Sequence, residues 1–148
     1  MAFMHLDVLT VERTVLSVDV RSVVLPAVEG EISVLPGHMP LVAMLTAGEL
    51  VARTETDAYY LAISGGFVRV MPGSATVLAD ASERAEEIDI YRAEQAKARA
   101  QQLLEAAAPD VDLATAEAAL RRAVARIFVA EKHRRRRITR MAPSESSR

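Results

Sequence analysis

Hydrophobic and polar residues alternate along the first half of the chain, and then the period changes. MHLDVLTV, residues 4–11, places Met4, Leu6 and Val8 on one side, the two-residue period of a half-buried strand. SVDVRSVVLP, residues 17–26, does the same through Val18, Val20 and, less cleanly, Val24. The runs EISVL, LVAML, ELVART, YYLAIS, FVRVM and ATVLA continue the series. They are broken at Pro36-Gly37, Gly48, Gly65-Gly66 and Pro72-Gly73. Short runs with closely spaced turn signals predict an antiparallel β-sandwich or barrel, not βαβ units. In ISGGFVRV, Gly65-Gly66 supplies positive-φ positions and predicts a hairpin turn.

Near Ala85 the apolar spacing lengthens to three and four. Ala93, Ala96, Ala100, Leu103 and Ala107 form one seam, and Leu113, Ala116, Leu120, Ala123, Ile127 and Ala130 form a second. This is the helical period. Asp89 and Asp112 stand where N-caps are needed, and Pro109 separates the two helices. Two helices joined by a short link pack antiparallel. Alanines let their axes approach closely but bury little apolar area, at roughly 25 cal/mol per Å². The pattern therefore predicts a hairpin held weakly enough to rearrange. The expected domains are a sandwich over 1–86, a helical hairpin over 87–137 and a polar, basic tail over 138–148, frayed or disordered beyond about Arg136.

Composition narrows the chemistry. A chain of 148 residues supports one good core, or a modest core with an appendage. Aromatic residues make up 4 % and tryptophan is absent, which argues against a large aromatic-lined ligand pocket. Cysteine is also absent, excluding disulfides, thiolate nucleophiles and cysteine zinc sites. His5, His38 and His133 show no metal-ligand spacing. AFMHLDVLTVE lacks the basic and apolar regions of a signal peptide, and no apolar run reaches the roughly 18–20 residues that span a bilayer. The expectation is a soluble intracellular protein that meets a membrane only through partners.

Charge divides as the periods do. Residues 1–84 carry 5 Arg against 10 Asp and Glu, whereas residues 120–148 carry 10 Lys and Arg against Glu131 and Glu145. Four successive arginines, Arg134 to Arg137, raise a nucleic-acid reading, but stacking aromatics are missing and the first half is acidic. No phosphate loop and no dinucleotide fingerprint occur. Ser64 lacks the strand–turn–helix context of a nucleophile elbow. His38, in GEISVLPGHMP, has no placed orienting carboxylate and reads as a turn or interface residue. Arg92 and Arg99 share one helix face and Arg122 and Arg126 another. If the hairpin folds about Asp110, these four guanidiniums line one edge beside Asp89, either as a solvated flank or as a phosphate-binding row.

Together these motifs resemble one family, the epsilon subunit of bacterial F-type ATP synthases. The resemblance runs from about Phe3 to Lys132, through HLDV, EGEISVLPGHMPL, LAISGGFVRV, ATVLAD, IDIYRAEQAKARA and the alanine-rich second helix. It implies a sandwich of about ten strands and a two-helix C-terminal domain. It also implies a non-catalytic subunit of the central stalk, peripheral on the cytoplasmic face of the bacterial inner membrane. Its sandwich would contact gamma and the c-ring, coupling proton-driven rotation to ATP synthesis. Glu29, Glu31 and His38 would make rotor contacts. The helices would restrain ATP hydrolysis, with Arg121, Arg122, Arg126 and Lys132 meeting acidic loops of beta in the alpha/beta hexamer. Some members bind ATP through an I-D-x-x-R-A motif, which Ile88, Asp89, Arg92 and Ala93 match. Glu83, Arg99, Arg122 and Arg126 stand at further positions of that site. The resemblance thus implies ATP as a regulatory ligand and no required cofactor or metal. The other reading of the residues is a free-standing β-sandwich adaptor whose arginine-rich tail binds nucleic acid or an anionic surface.

Overall fold

Met4, Leu6 and Val8 are buried as their alternation predicts, in the first strand of an eight-stranded sheet. The computed structural model describes residues 2–106, 109, 110 and 112–141. Its strands are β1 (Met4–Leu9), β2 (Thr14–Val20), β3 (Ser22–Ala27), β4 (Gly30–Val34), β5 (Leu41–Arg53), β6 (Ala58–Met71), β7 (Ser74–Ala79) and β8 (Ser82–Arg84). A 3₁₀ turn at Ala85–Glu87 leads to α1 (Ile90–Ala106) and α2 (Leu113–Met141). The sheet order is β2-β1-β7-β6-β5-β3-β4, with β8 beside β6. The pairing is antiparallel except between β1 and β7, which run parallel, so the sandwich is mixed and not purely antiparallel. Its core includes Met4, Leu6, Val15, Leu25, Val34, Leu50, Leu61, Ile63, Val68 and Val77, all nearly or fully inaccessible to water.

Eight strands form where about ten were expected, because two glycine breaks fall inside strands instead of ending them. LVAML and ELVART are one 13-residue strand, and YYLAIS and FVRVM one of 14 residues. Gly65 and Gly66 have φ of 82° and 123° inside β6, so the predicted hairpin is a kink. There β6 changes partner on one side, pairing Leu61–Ile63 with β8 and Gly66–Met71 with β7. Val24 also departs from its expected face. The chain turns at Arg21 between β2 and β3, so Val23 and Leu25 point into the core and Val24 is half-buried.

Both helix caps form as predicted. Asp89 Oδ1 accepts from the backbone N–H of Arg92 at 3.1 Å, and Asp112 Oδ1 from those of Ala114 and Thr115 at 3.1 and 3.3 Å. The bond from the Thr115 hydroxyl, foremost, and these backbone bonds hold the Asp112 carboxyl below its usual range. Ala93 and Ala100 of α1 and Ala116 and Ala123 of α2 are buried. Leu103 and Leu113 are exposed instead of seated in the seam; Ala107 lies outside the described residues. The helix α2 runs on to Met141, past both the expected end at 137 and the expected fraying after Arg136. Residues 142–148 of the expected tail are outside the described residues.

Candidate functional site

The period of two gives β5 and β6 a second face opposite the core. Leu50, Ala52, Leu61 and Ile63 belong to the core, which leaves Glu49, Val51, Tyr60 and Ala62 facing outward. On this face Ala62 joins Ala85, Ile88, Val129 and Ala130 in a small buried cluster, with Tyr60 and Ile90 against it. This cluster is the apolar seat of α2 on the sandwich. Ala62 pairs with Glu49 on one side and with Glu83 on the other, so two carboxylates flank the alanine across three strands.

Cations from α2 meet both carboxylates. Arg126 Nε lies 2.8 Å from Glu83 Oε1. Lys132 Nζ donates to Glu49 Oε1 at 2.9 Å, and Arg136 Nη1 stands 3.6 Å from Glu49 Oε2. The Glu49 side chain is only 9 % exposed. The guanidinium of Arg136 stacks 3.5 Å from the Tyr60 ring centroid, a cation–π contact strengthened by desolvation. Arg140 reaches Asp57 at 3.9 Å. A cleft of about 420 Å³ between the β5–β6 turn and α2 is lined by Tyr60, His133, Arg136, Arg137 and Arg140 among others.

The residues expected at a nucleotide site are partly gathered. Glu83 holds Arg126, and Asp89 both caps α1 and stands 3.6 Å from the exposed Arg92. Ile88 is buried beneath α2 and Ala93 in the helix seam. Arg99 and Arg122 are exposed on the hairpin, and among the described residues no ion pair joins them to the others. Of the four cations expected to meet acidic loops, Arg121 and Arg122 are exposed while Arg126 and Lys132 engage the sandwich.

The opposite end of the sandwich carries the turns singled out from the sequence. Glu29 and Glu31 are exposed at the β3–β4 turn. In Leu35–His38 the His38 N–H bonds to the Leu35 carbonyl at 3.1 Å with Gly37 at φ 84°, the type II turn that Pro-Gly favours. The His38 ring bonds to the Met39 carbonyl at 2.7 Å, so it is a turn residue, and among the described residues no carboxylate orients it. Nearby, Met44, Phe67 and Leu78 are directly opposite one another across β5, β6 and β7. They are 55, 50 and 57 % exposed, and Val42 is 68 % exposed. These apolar side chains are not buried within the chain.

One constellation looks catalytic and is not. His5 Nδ1 lies 2.8 Å from Asp19 and its Nε2 3.1 Å from Ser17 Oγ. The bond to Asp19, aided by Asp7, holds the imidazole above its ordinary pKa. Ser17, however, donates its proton to Asp7 at 2.7 Å, away from the imidazole that would have to take it.

Sequence reasoning missed Glu49, Asp57, Arg136, Tyr60 and the apolar row. The available signals were the alternation in ELVAR, which turns Glu49 outward, and the four-residue spacing of Lys132, Arg136 and Arg140.

A β-sandwich with an uncovered apolar row, carrying a helical hairpin on a small polar-edged seat, defines a chain of two parts, one β and one α. Residues 3–85 match the family described as ATP synthase, Delta/Epsilon chain, beta-sandwich domain, and residues 86–131 its long alpha-helix domain. The ATP synthase epsilon chain of Dehalococcoides mccartyi is 50 % identical over 136 residues, covering 91 % of this chain and 97 % of the relative. That of Herpetosiphon aurantiacus is 47 % identical, covering 89 % and 97 %. Among solved structures, a chain of the Euglena gracilis mitochondrial ATP synthase (OSCP/F1/c-ring) superimposes with a TM-score of 0.73 at 26 % identity, over 90 % of this chain and 82 % of that one. The protein belongs to the ATP synthase delta/epsilon chain family and is a non-catalytic, epsilon-type subunit of the central stalk. The free-standing adaptor reading gives way to this membership.

Proposed function

We propose that the sandwich docks on gamma and the c-ring, and that the hairpin restrains ATP hydrolysis by moving between the sandwich and the alpha/beta hexamer. The exposed row Met44–Phe67–Leu78 with Val42 carries the docking reading. Contiguous apolar side chains on a rigid sheet favour a protein interface, and the exposed Glu29 and Glu31 add a polar contact beside them. No helix among the described residues is long and apolar enough to cross a membrane, in keeping with attachment through the complex at the cytoplasmic face of a bacterial membrane. Phe67→Asp places a charge at the centre of the row without touching the core. Its association with purified gamma, measured by interferometry, is expected to weaken at least about tenfold, the scale of a lost apolar anchor; unchanged affinity would sink the assignment of this face.

ATP is proposed as the regulatory ligand of the folded hairpin, through Glu83, Ile88, Asp89, Arg92, Ala93, Arg99, Arg122 and Arg126. The support is the I-D-x-x-R-A match together with Arg126 beside Glu83 and Arg92 beside Asp89. Bound nucleotide would favour the folded hairpin by mass action.

A further inference from the structure

Lys132, Arg136 and Arg140 lie past residue 131, where the match to the helical family domain ends. We propose that this arginine-rich end of α2 is an ionic latch, with Glu49 as its catch, that sets how readily the hairpin leaves the sandwich. The inference rests on the reading above that the hairpin moves.

Three observations converge on it. The first is the row Glu49–Ala62–Glu83. With strands spaced about 4.8 Å, the two carboxylates sit about 10 Å apart, close to the width of a helix. Val129 and Ala130 rest over the alanine, so Lys132 reaches down to Glu49 and Arg126 to Glu83. Small residues at the centre let α2 lie low enough for these short pairs.

The second is periodicity. Lys132, Arg136 and Arg140 recur every four residues along one face, and each has a carboxylate partner on the sandwich, Glu49 for the first two and Asp57 for the third. Arg135 and Arg134 are exposed, and among the described residues Arg135 pairs within its own helix, with Glu131. The arginine run therefore has an inner, engaged side and an outer, solvated one.

The third is the balance of forces. The apolar seat is mostly alanine, so it contributes little burial per residue. Glu49 is a nine-tenths buried carboxylate facing two cations. Removing one member of such a group leaves an uncompensated charge, a far larger loss than that of an exposed pair. Attachment therefore depends on charge to a degree that the sandwich core does not. The same cations cannot serve Glu49 and an acidic partner segment together, so engaging one releases the other.

The chain has no cysteine, so Arg53→Cys and Glu117→Cys, both at exposed positions, can carry a unique pair of spin labels on the full chain. The distance distribution is expected to shift toward the open form as sodium chloride rises. Glu49→Gln should raise the open-to-folded ratio by at least about tenfold and blunt that salt response, as breaking a largely buried ion pair implies. Glu49→Lys combined with Lys132→Glu and Arg136→Glu should restore the folded distance. Identical distributions and salt response in wild type and Glu49→Gln would overturn the latch. Should Glu49→Gln unfold the sandwich by near-ultraviolet dichroism, the helix-surface triple Lys132→Ala, Arg136→Met, Arg140→Ala decides by the same readout. A hydrolysis assay in the assembled enzyme fails separately: unlatching of the free chain without a change in hydrolysis sinks the restraint and leaves the latch.

Discussion

A Cβ placed on Gly66 would collide with the carbonyl oxygen of Leu78, and its φ of 123° is one that L side chains rarely adopt. The sequence pair Gly65-Gly66 announces positive φ, yet a hairpin turn and a kink within a strand require it equally. What separates them is whether residues 80–81 bond back to residues 64–65, as Ser64 N–H to Ala81 and Asp80 N–H to Gly65 do at 3.0 and 3.2 Å. That contact is remote from the local pattern, so the pattern could not decide. Gly66→Ala combines backbone strain with a clash against backbone that cannot swing away, and the expected destabilisation is roughly 2–5 kcal/mol. Urea unfolding of the full chain measures it; a midpoint unchanged from wild type would show that β6 tolerates a side chain at its kink.

At the scale of elements, the helices were legible where their causes are local. Asp89 and Asp112 cap the helices they precede, and the alanines at 93, 100, 116 and 123 form the seam. The reach of α2 to Met141 was not legible, because its stabilising partners, Glu49 and Asp57, lie on β5 and the following turn, more than 80 residues back along the chain. The nucleotide reading belongs to this scale as well. Arg92 sits in the first turn of α1, where backbone N–H groups favour phosphate, and its side chain is 80 % exposed and stands 3.6 Å from Asp89. It can swing to a ligand without loss to the fold. Arg92→Ala keeps the backbone N–H that Asp89 caps, so an effect on binding cannot be ascribed to fraying of the helix. By calorimetry, wild type is expected to bind ATP and Arg92→Ala to show no heat of binding; equal binding by both removes this residue from the site.

The molecule as a whole divides its stability unevenly, and that division is what a moving hairpin requires. The sandwich closes a core of twenty buried residues drawn entirely from its own strands. The seat of α2 has five, three of them alanine, and α1 packs on α2 while α2 packs on β5 and β6. Two states of the hairpin can then differ by a few kcal/mol while the docking surface stays unchanged. The division into two parts was legible from the change of period and of charge near Ala85. The junction was not, since it depends on which strand faces the topology leaves outward. Removing residues 86–148 should accordingly leave the sandwich folded and able to associate with gamma, while exposing Glu49 and Ala62 to water at small cost. In the assembled enzyme this truncation is expected to raise ATP hydrolysis severalfold, because an obstruction worth about 1 kcal/mol of barrier changes a rate by roughly fivefold. Steady-state hydrolysis by complexes carrying the full or the truncated chain, matched for subunit content, measures the difference. Equal rates at equal occupancy would mean that the hairpin, however it moves, does not restrain the catalytic sites.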